Sequence, residues 1–288
     1  MSPPPFPAFI GRSGLFESIM SVIAIVNRKG GSGKSTLATN LAGFFAQRGD
    51  AVMLGDVDRQ QSTQSWLRAR SGQRLAAGAP IVGWAVDPKR VLRPPAGVRH
   101  VVLDTPGGLR GFDLARVVAF ADAILMPVCH SVFDRDSAAE CHAEMLALPR
   151  VASGRCQLAA VGMRIDARTH AASQLAAWAS ALDLPFVGVL RETQAYVRHA
   201  EHGLSVFDVP SARGQIDIDQ WQPLVQWLET ALRAPPPPLI RACTAASARP
   251  FVREVAEPLR RLPAPDLSRL PSFLAGLRAL WKPLRSQL

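Results

Sequence analysis

Lysine is scarce in this chain: of 33 basic residues only Lys29, Lys34, Lys89 and Lys282 are lysine, and arginine supplies the rest. Tyrosine occurs once, and aromatic residues are 7% of the 288 against 48% hydrophobic, a balance that fits an α/β protein with an aliphatic core. Four scattered cysteines, Cys129, Cys141, Cys156 and Cys243, include no C-x-x-C pair. That argues against a disulfide framework and points to a reducing cytoplasm. No apolar run approaches the roughly 20 residues that would span a bilayer. The stretch from Met1 to Ile10 is proline-rich and lacks the basic start and apolar segment of a secretory signal.

Two of the four lysines stand in one loop of eight residues, Lys29-Gly30-Gly31-Ser32-Gly33-Lys34-Ser35-Thr36. The apolar, β-branched run from Ser21 to Asn27 predicts a strand before it. Apolar spacing from Leu37 to Phe45 predicts a helix after it. Strand, glycine turn and helix together are a phosphate cradle: the glycines let backbone N–H groups close on anionic oxygens, and the helix start adds its positive end. In that setting Lys34 reaches the β- and γ-phosphates, the Ser35 hydroxyl completes the coordination of a magnesium ion, and Thr36 is a secondary contact. A compact ammonium at both 29 and 34, in a chain that otherwise prefers the planar guanidinium, sets the loop apart.

Further strands are expected at 51–55, 99–103, 123–128, 157–163 and 185–190. Helical segments lie between them, a polar helix spans 62–70, and a loop of Gly, Ala and Pro follows it. Alternating strands and helices predict an α/β fold with a mostly parallel central sheet and helices on both faces. Ligands then gather at the carboxyl ends of the strands, where the acidic motifs fall. Asp104 ends one apolar strand and is placed to hold the magnesium through water. Asp56 and Asp58 end another. Asp58 is assigned to orient the attacking water.

Charge and proline divide the chain further. Residues 1–20 read as a flexible extension, or as an upstream start, since Met20 directly precedes the first strand; residues 21–233 are expected to form the nucleotide-binding domain. Pro235 to Pro238 open a linker over 234–264, and leucines recur at helical spacing through 265–288 with Arg269, Arg278, Lys282 and Arg285 between them. From 234 to 288 nine basic residues face three acidic ones, so much of the net charge of +10 sits in this tail. The basic amphipathic segment suits a membrane surface, a partner protein, the chain's own domain, or no fixed structure.

The loop at 29–36, Asp56-Val57-Asp58-Arg59-Gln60 and Val101 to Pro106 resemble the ParA/MinD family of deviant Walker ATPases, a P-loop fold of the SIMIBI type. The likeness extends over about 21–230. It implies that Lys29 reaches across a homodimer to the partner's nucleotide, that the whole 29–36 loop binds ATP with Mg2+, and that Lys29, Lys34 and Asp58 serve catalysis. Arg59 stands where the family has proline, which puts the turnover rate in question. The absence of C-x-x-C sets aside the iron–sulfur carrier and tail-anchored-protein targeting branches, and the cysteine positions set aside the nitrogenase iron protein. ParA-type members bind DNA without sequence preference, and Arg191, Arg198 and Arg213 fall in the corresponding stretch. The expected function is therefore a cytoplasmic, nucleoid-associated ATPase that dimerises on ATP and segregates or positions a plasmid, chromosome region or protein cluster, triggered by an adaptor protein. Two alternatives are a MinD-like ATPase cycling on membranes through the tail, and a nucleotide-dependent scaffold with negligible turnover.

Overall fold

Short runs of aliphatic residues build the centre of the molecule. The computed structural model describes residues 20–57, 61–73, 75, 78–85, 94, 96–166, 168–209 and 214–233. Expectations for 1–19, Asp58, Arg213, the linker and the C-terminal helix lie outside them. The strands are β1 (Ser21–Ile25), β2 (Val52–Asp56), β3 (Ile81–Ala85), β4 (His100–Asp104), β5 (Ala123–Val128), β6 (Gln157–Ile165) and β7 (Phe186–Arg191). They form one seven-stranded sheet in the order β3-β2-β4-β1-β5-β6-β7, with every pairing parallel. The two strands flanking β1, and β1 itself, are buried almost throughout, because helices cover both faces of a parallel sheet.

One face carries α1 (Lys34–Gln47), α2 (Ser62–Ser71), α7 (Gln194–Glu201), α8 (Gln215–Asp219) and α9 (Gln222–Arg233). Their side chains, among them Leu37, Leu41, Phe45, Trp66 and Leu228, with Trp221 between α8 and α9, pack in one core with Ile23, Ile25 and Leu54. The other face carries α3 (Gly111–Phe120), α4 (Val132–Leu146), the short α5 (Pro149–Ala152) and α6 (Ala171–Ala181) over Val22, Ala24, Ile124 and Met126. Each fully buried Leu or Ile contributes roughly 1.5–3 kcal/mol of hydrophobic stabilisation.

The sequence pattern misses one strand. The loop expected behind α2 contains β3, which pairs with β2 from Val52↔Ile81 to Asp56↔Ala85 and forms one edge of the sheet. Gly83 interrupts its apolar pattern for a packing reason: a Cβ there would lie 2.6 Å from Leu67 Cδ1 of α2. The close approach of helix to edge strand requires the residue that makes the strand hard to read.

A buried ion pair ties the α1 face together. Arg70, on the last turn of α2, donates to both carboxylate oxygens of Asp208 at 2.7 and 3.0 Å, and to the Gly203 carbonyl at 3.1 Å. Asp208 also accepts from the Ser205 amide and hydroxyl and from Gln47 of α1, each at 2.7 Å. Gly203 has φ +68°, and a Cβ there would fall 2.1 Å from the Arg70 amide nitrogen, so no other residue fits.

Candidate nucleotide site

The turn from β1 into α1 begins on a side chain. Asn27 Nδ2 donates to the Pro127 carbonyl of β5 at 2.7 Å, while its Oδ1 accepts from the Lys29 amide at 3.0 Å. Gly31 and Gly33 then take φ of +73° and +95°, left-handed values that curl the backbone amides inward. Gly33 is the N-cap of α1 and is pressed by Met163 of β6, whose Cε would lie 2.7 Å from a Cβ. Nothing lies within 4 Å of where a Cβ would stand on Gly30 or Gly31. Ser32 is buried, with its hydroxyl unpaired. Lys34, buried to 7% exposure, donates from Nζ to the Lys29 carbonyl at 3.0 Å, so its ammonium lies folded over the loop. Ser35 and Thr36 are half-buried in the first turn of α1.

Asp104 ends β4 at 1% exposure, level with Ile25 of β1 and Asp56 of β2. Thr105 Oγ1 donates to the Ile25 carbonyl at 2.7 Å, and the following turn lies on the phosphate loop: Gly108 N donates to the Arg28 carbonyl at 2.5 Å. A Cβ on Gly107 would stand 3.4 Å from the Gly30 backbone. Asp56 has a structural job. Its Oδ2 accepts from the Thr63 amide at 3.0 Å and the Thr63 hydroxyl at 2.5 Å, capping the start of α2. Asp58, expected to orient water, lies outside the described residues.

Helix α4 supplies residues that the sequence reading did not single out. Ser131 caps it, accepting from the Asp134 amide at 3.2 Å, and Asp134 pairs with Lys29 Nζ at 2.5 Å. Burial would raise the Asp134 carboxyl, but hydrogen bonds from Lys29 and Ser131 and the Lys29 charge outweigh it and hold the group below the usual range. Further along α4, Glu140 accepts from Arg28 at 3.1 Å, and Glu144 bridges Arg28 and the Gly111 amide, the latter at 2.6 Å. The Gly111 amide is the main reason why Glu144 sits below its ordinary value, with Arg28 adding to it. The local signal was Ser131-Val132-Phe133-Asp134, a cap motif; its reach to Lys29 is tertiary. Of the arginines expected at DNA, Arg198 is exposed on α7, whereas Arg191 is bound to Asp217 of α8 at 2.6 Å. Arg213 lies outside the described residues.

These donors suit a magnesium nucleotide. A glycine loop open above the backbone, an unpaired buried Ser32 hydroxyl, two ammonium groups and hard oxygens at Ser35 and Asp104 have the chemistry to receive polyphosphate and a small divalent cation. The profile of the CobQ/CobB/MinD/ParA nucleotide binding domain matches residues 23–206. The chain belongs to that family. Within it, the chain is 36% identical over 116 residues to maintenance of carboxysome distribution protein A of Gloeobacter kilaueensis, covering 40% of this chain and 51% of the relative. It therefore spans about half the length of that relative. The protein of the same name from Halothiobacillus neapolitanus is 28% identical over 201 residues, 69% of this chain and 91% of its own. The MinD cell division protein of Aquifex aeolicus superposes with a TM-score of 0.55 at 18% identity, covering 72% of this chain and 97% of that one. The MinD/ParA family fold accounts for the parallel sheet and its glycine loop.

Proposed function

We propose that this protein is an ATP-operated positioning switch of the ParA kind, in which ATP closes two copies face to face and hydrolysis separates them. The observation that carries this reading is the pair of lysines in one glycine loop: Lys34 buried over the loop, and Lys29 39% exposed at its front edge, paired there with the Asp134 carboxylate of its own subunit. An exposed ammonium at that edge gains most from a phosphate chain presented by a second copy, and little without one.

In this reading Ser35 and Asp104, the latter through water, hold magnesium, which when bound offsets the charge of the β- and γ-phosphates. Lys34 exchanges the Lys29 carbonyl for phosphate oxygen. Asp58 orients water, and Arg198 with Arg213 contributes salt-dependent, sequence-independent contacts to DNA. Arg191 contributes less, because its guanidinium is engaged by Asp217. The relatives named for carboxysome distribution favour a protein body as cargo over a plasmid or chromosome region, with an adaptor protein stimulating turnover.

Light scattering on the full chain with ATP and magnesium tests the switch. The mass doubles for the unaltered protein. Lys29→Ala binds ATP but stays single, and Lys34→Ala loses nucleotide affinity by a hundredfold or so, a loss of the order of 3 kcal/mol for a charge-assisted phosphate contact in a dry site. If Lys29→Ala pairs as readily as the parent, the switch is wrong.

A further inference from the structure

Strand β6 carries an irregularity that its sequence does not announce. Met163 stands opposite Leu190 of β7 and Ile165 opposite Arg191, so Arg164 is an extra residue with no partner in the ladder. Its φ is +55°, left-handed for a residue that bears a long side chain. The bulge changes the phase of the strand. Ala159, Val161 and Met163 face the α1 core, Leu158 and Ala160 face the α6 core, and after the bulge Ile165 joins Leu158 and Ala160. Strict alternation would have sent Arg164 into the apolar face against α6. The bulge expels it, and Arg164 is exposed in a strand otherwise buried from Leu158 onward.

The expelled guanidinium emerges at the carboxyl edge of the sheet, one residue beyond Met163, the side chain that presses on Gly33 of the phosphate loop. Among the described residues it makes no hydrogen bond or ion pair. Nearby Arg168 does, holding Asp166 through its amide, Nε and Nη2 and drawing that carboxyl down to about 2. Arg164, Lys29, Asp134 and Glu192 all act electrostatically on the Cys129 thiol at the end of β5, a thiol pushed up chiefly by burial. Lys29 follows β1 and Arg164 stands near the end of β6, on either side of β5 in a parallel sheet, so both lie at its carboxyl edge with Cys129 between their strands. Strain kept in place at a ligand-bearing edge, with a cation left unpaired by the result, is the arrangement expected of an anion contact.

We propose that Arg164 binds a phosphate oxygen of the nucleotide held in its own subunit, as a cation additional to Lys34. The inference rests on the nucleotide-binding reading of the loop. Its test uses ADP with magnesium, which does not call for a second copy, titrated into the full chain and into Arg164→Gly and Arg164→Lys. Glycine relieves the left-handed strain while removing the charge, so Arg164→Gly melts at or above the parent temperature and binds ADP about tenfold more weakly. Arg164→Lys keeps most of the affinity. Arg164→Gly that is as stable as the parent and binds ADP equally well overturns the proposal, leaving the bulge as a device for keeping charge out of the core. An unaltered chain that binds no ADP removes the underlying reading as well, and Lys34→Ala as the sole weakened variant removes only the role of Arg164.

Discussion

Two ionic clusters lie on different faces of the sheet, one on the α1 side of the phosphate loop and one on the α4 side, and their surroundings set them apart. Behind the loop, Arg70 and Asp208 are buried to 8% and 0% side-chain exposure, and every oxygen of the carboxylate is hydrogen bonded. In front of it, Lys29 and Asp134 are 39% and 13% exposed, and Arg28 reaches Glu140, whose side chain is 74% exposed. A buried, fully satisfied pair fixes α2 against the loop at 203–208 and cannot be exchanged without leaving a charge stranded. A wetted pair costs little to open. The difference separates scaffold from exchangeable contact: the rear cluster ties α1, α2 and the 203–208 loop together, and the front cluster holds the cation that phosphate would compete for in the proposed switch.

The largest effect is expected at the rear. Arg70→Ala strands the Asp208 carboxylate and loses the stacking of the guanidinium over Trp66, 4.9 Å from its ring. Chemical denaturation should show a loss of about 3–5 kcal/mol. A loss near that of a surface pair would erase the contrast between the clusters. Acid adds a second handle. Burial alone would raise the Asp208 carboxyl, but hydrogen bonds from Arg70, Ser205 and Gln47 depress it below the ordinary 3.8. A carboxyl depressed in the folded state stabilises the protein fully above the unfolded value, and that contribution is lost as the pH falls through the folded value. The stability gap between the parent and Asp208→Asn should thus be constant at neutral pH and shrink as the pH drops below 3.8. A gap that widens in acid would mean that Asp208 is not the charged partner.

How far the sequence revealed this contrast depends on range. The glycine loop, β5 and the acidic strand ends were readable because strand, turn and helix signals are local and period-based: β5 runs from Ala123 to Val128 as expected. β3 was not, since Gly83 makes room for Leu67 and breaks the apolar run. Asp134, Glu140 and Glu144 read as ordinary polar residues of a helix, because their partners Lys29 and Arg28 lie more than 100 positions away. Arg164 was missed because the strand was expected to end at 163, whereas β6 continues through the bulge to Ile165. Arg191 was read as a cation for DNA, and only the fold brings Asp217 to it.

The smallest change in stability should come from the front cluster, and it is the more telling one. Asp134→Asn removes the charge that holds Lys29 in its own subunit while keeping the shape at the start of α4. Because the ammonium is more than a third exposed, water screens the pair, and unfolding should shift by no more than about 1 kcal/mol. The same energy appears in the switch. If Lys29 must leave Asp134 to reach the partner's phosphates, releasing it in advance strengthens ATP-dependent pairing by up to about fivefold per lysine, the factor that 1 kcal/mol represents, and by up to about thirtyfold for the two lysines of a symmetric pair. Sedimentation at several protein concentrations, with ATP and magnesium, reads that constant directly. Pairing of the variant that is unchanged or weaker would mean that Asp134 does not compete with the second copy, and the front cluster would then be as structural as the one behind the loop.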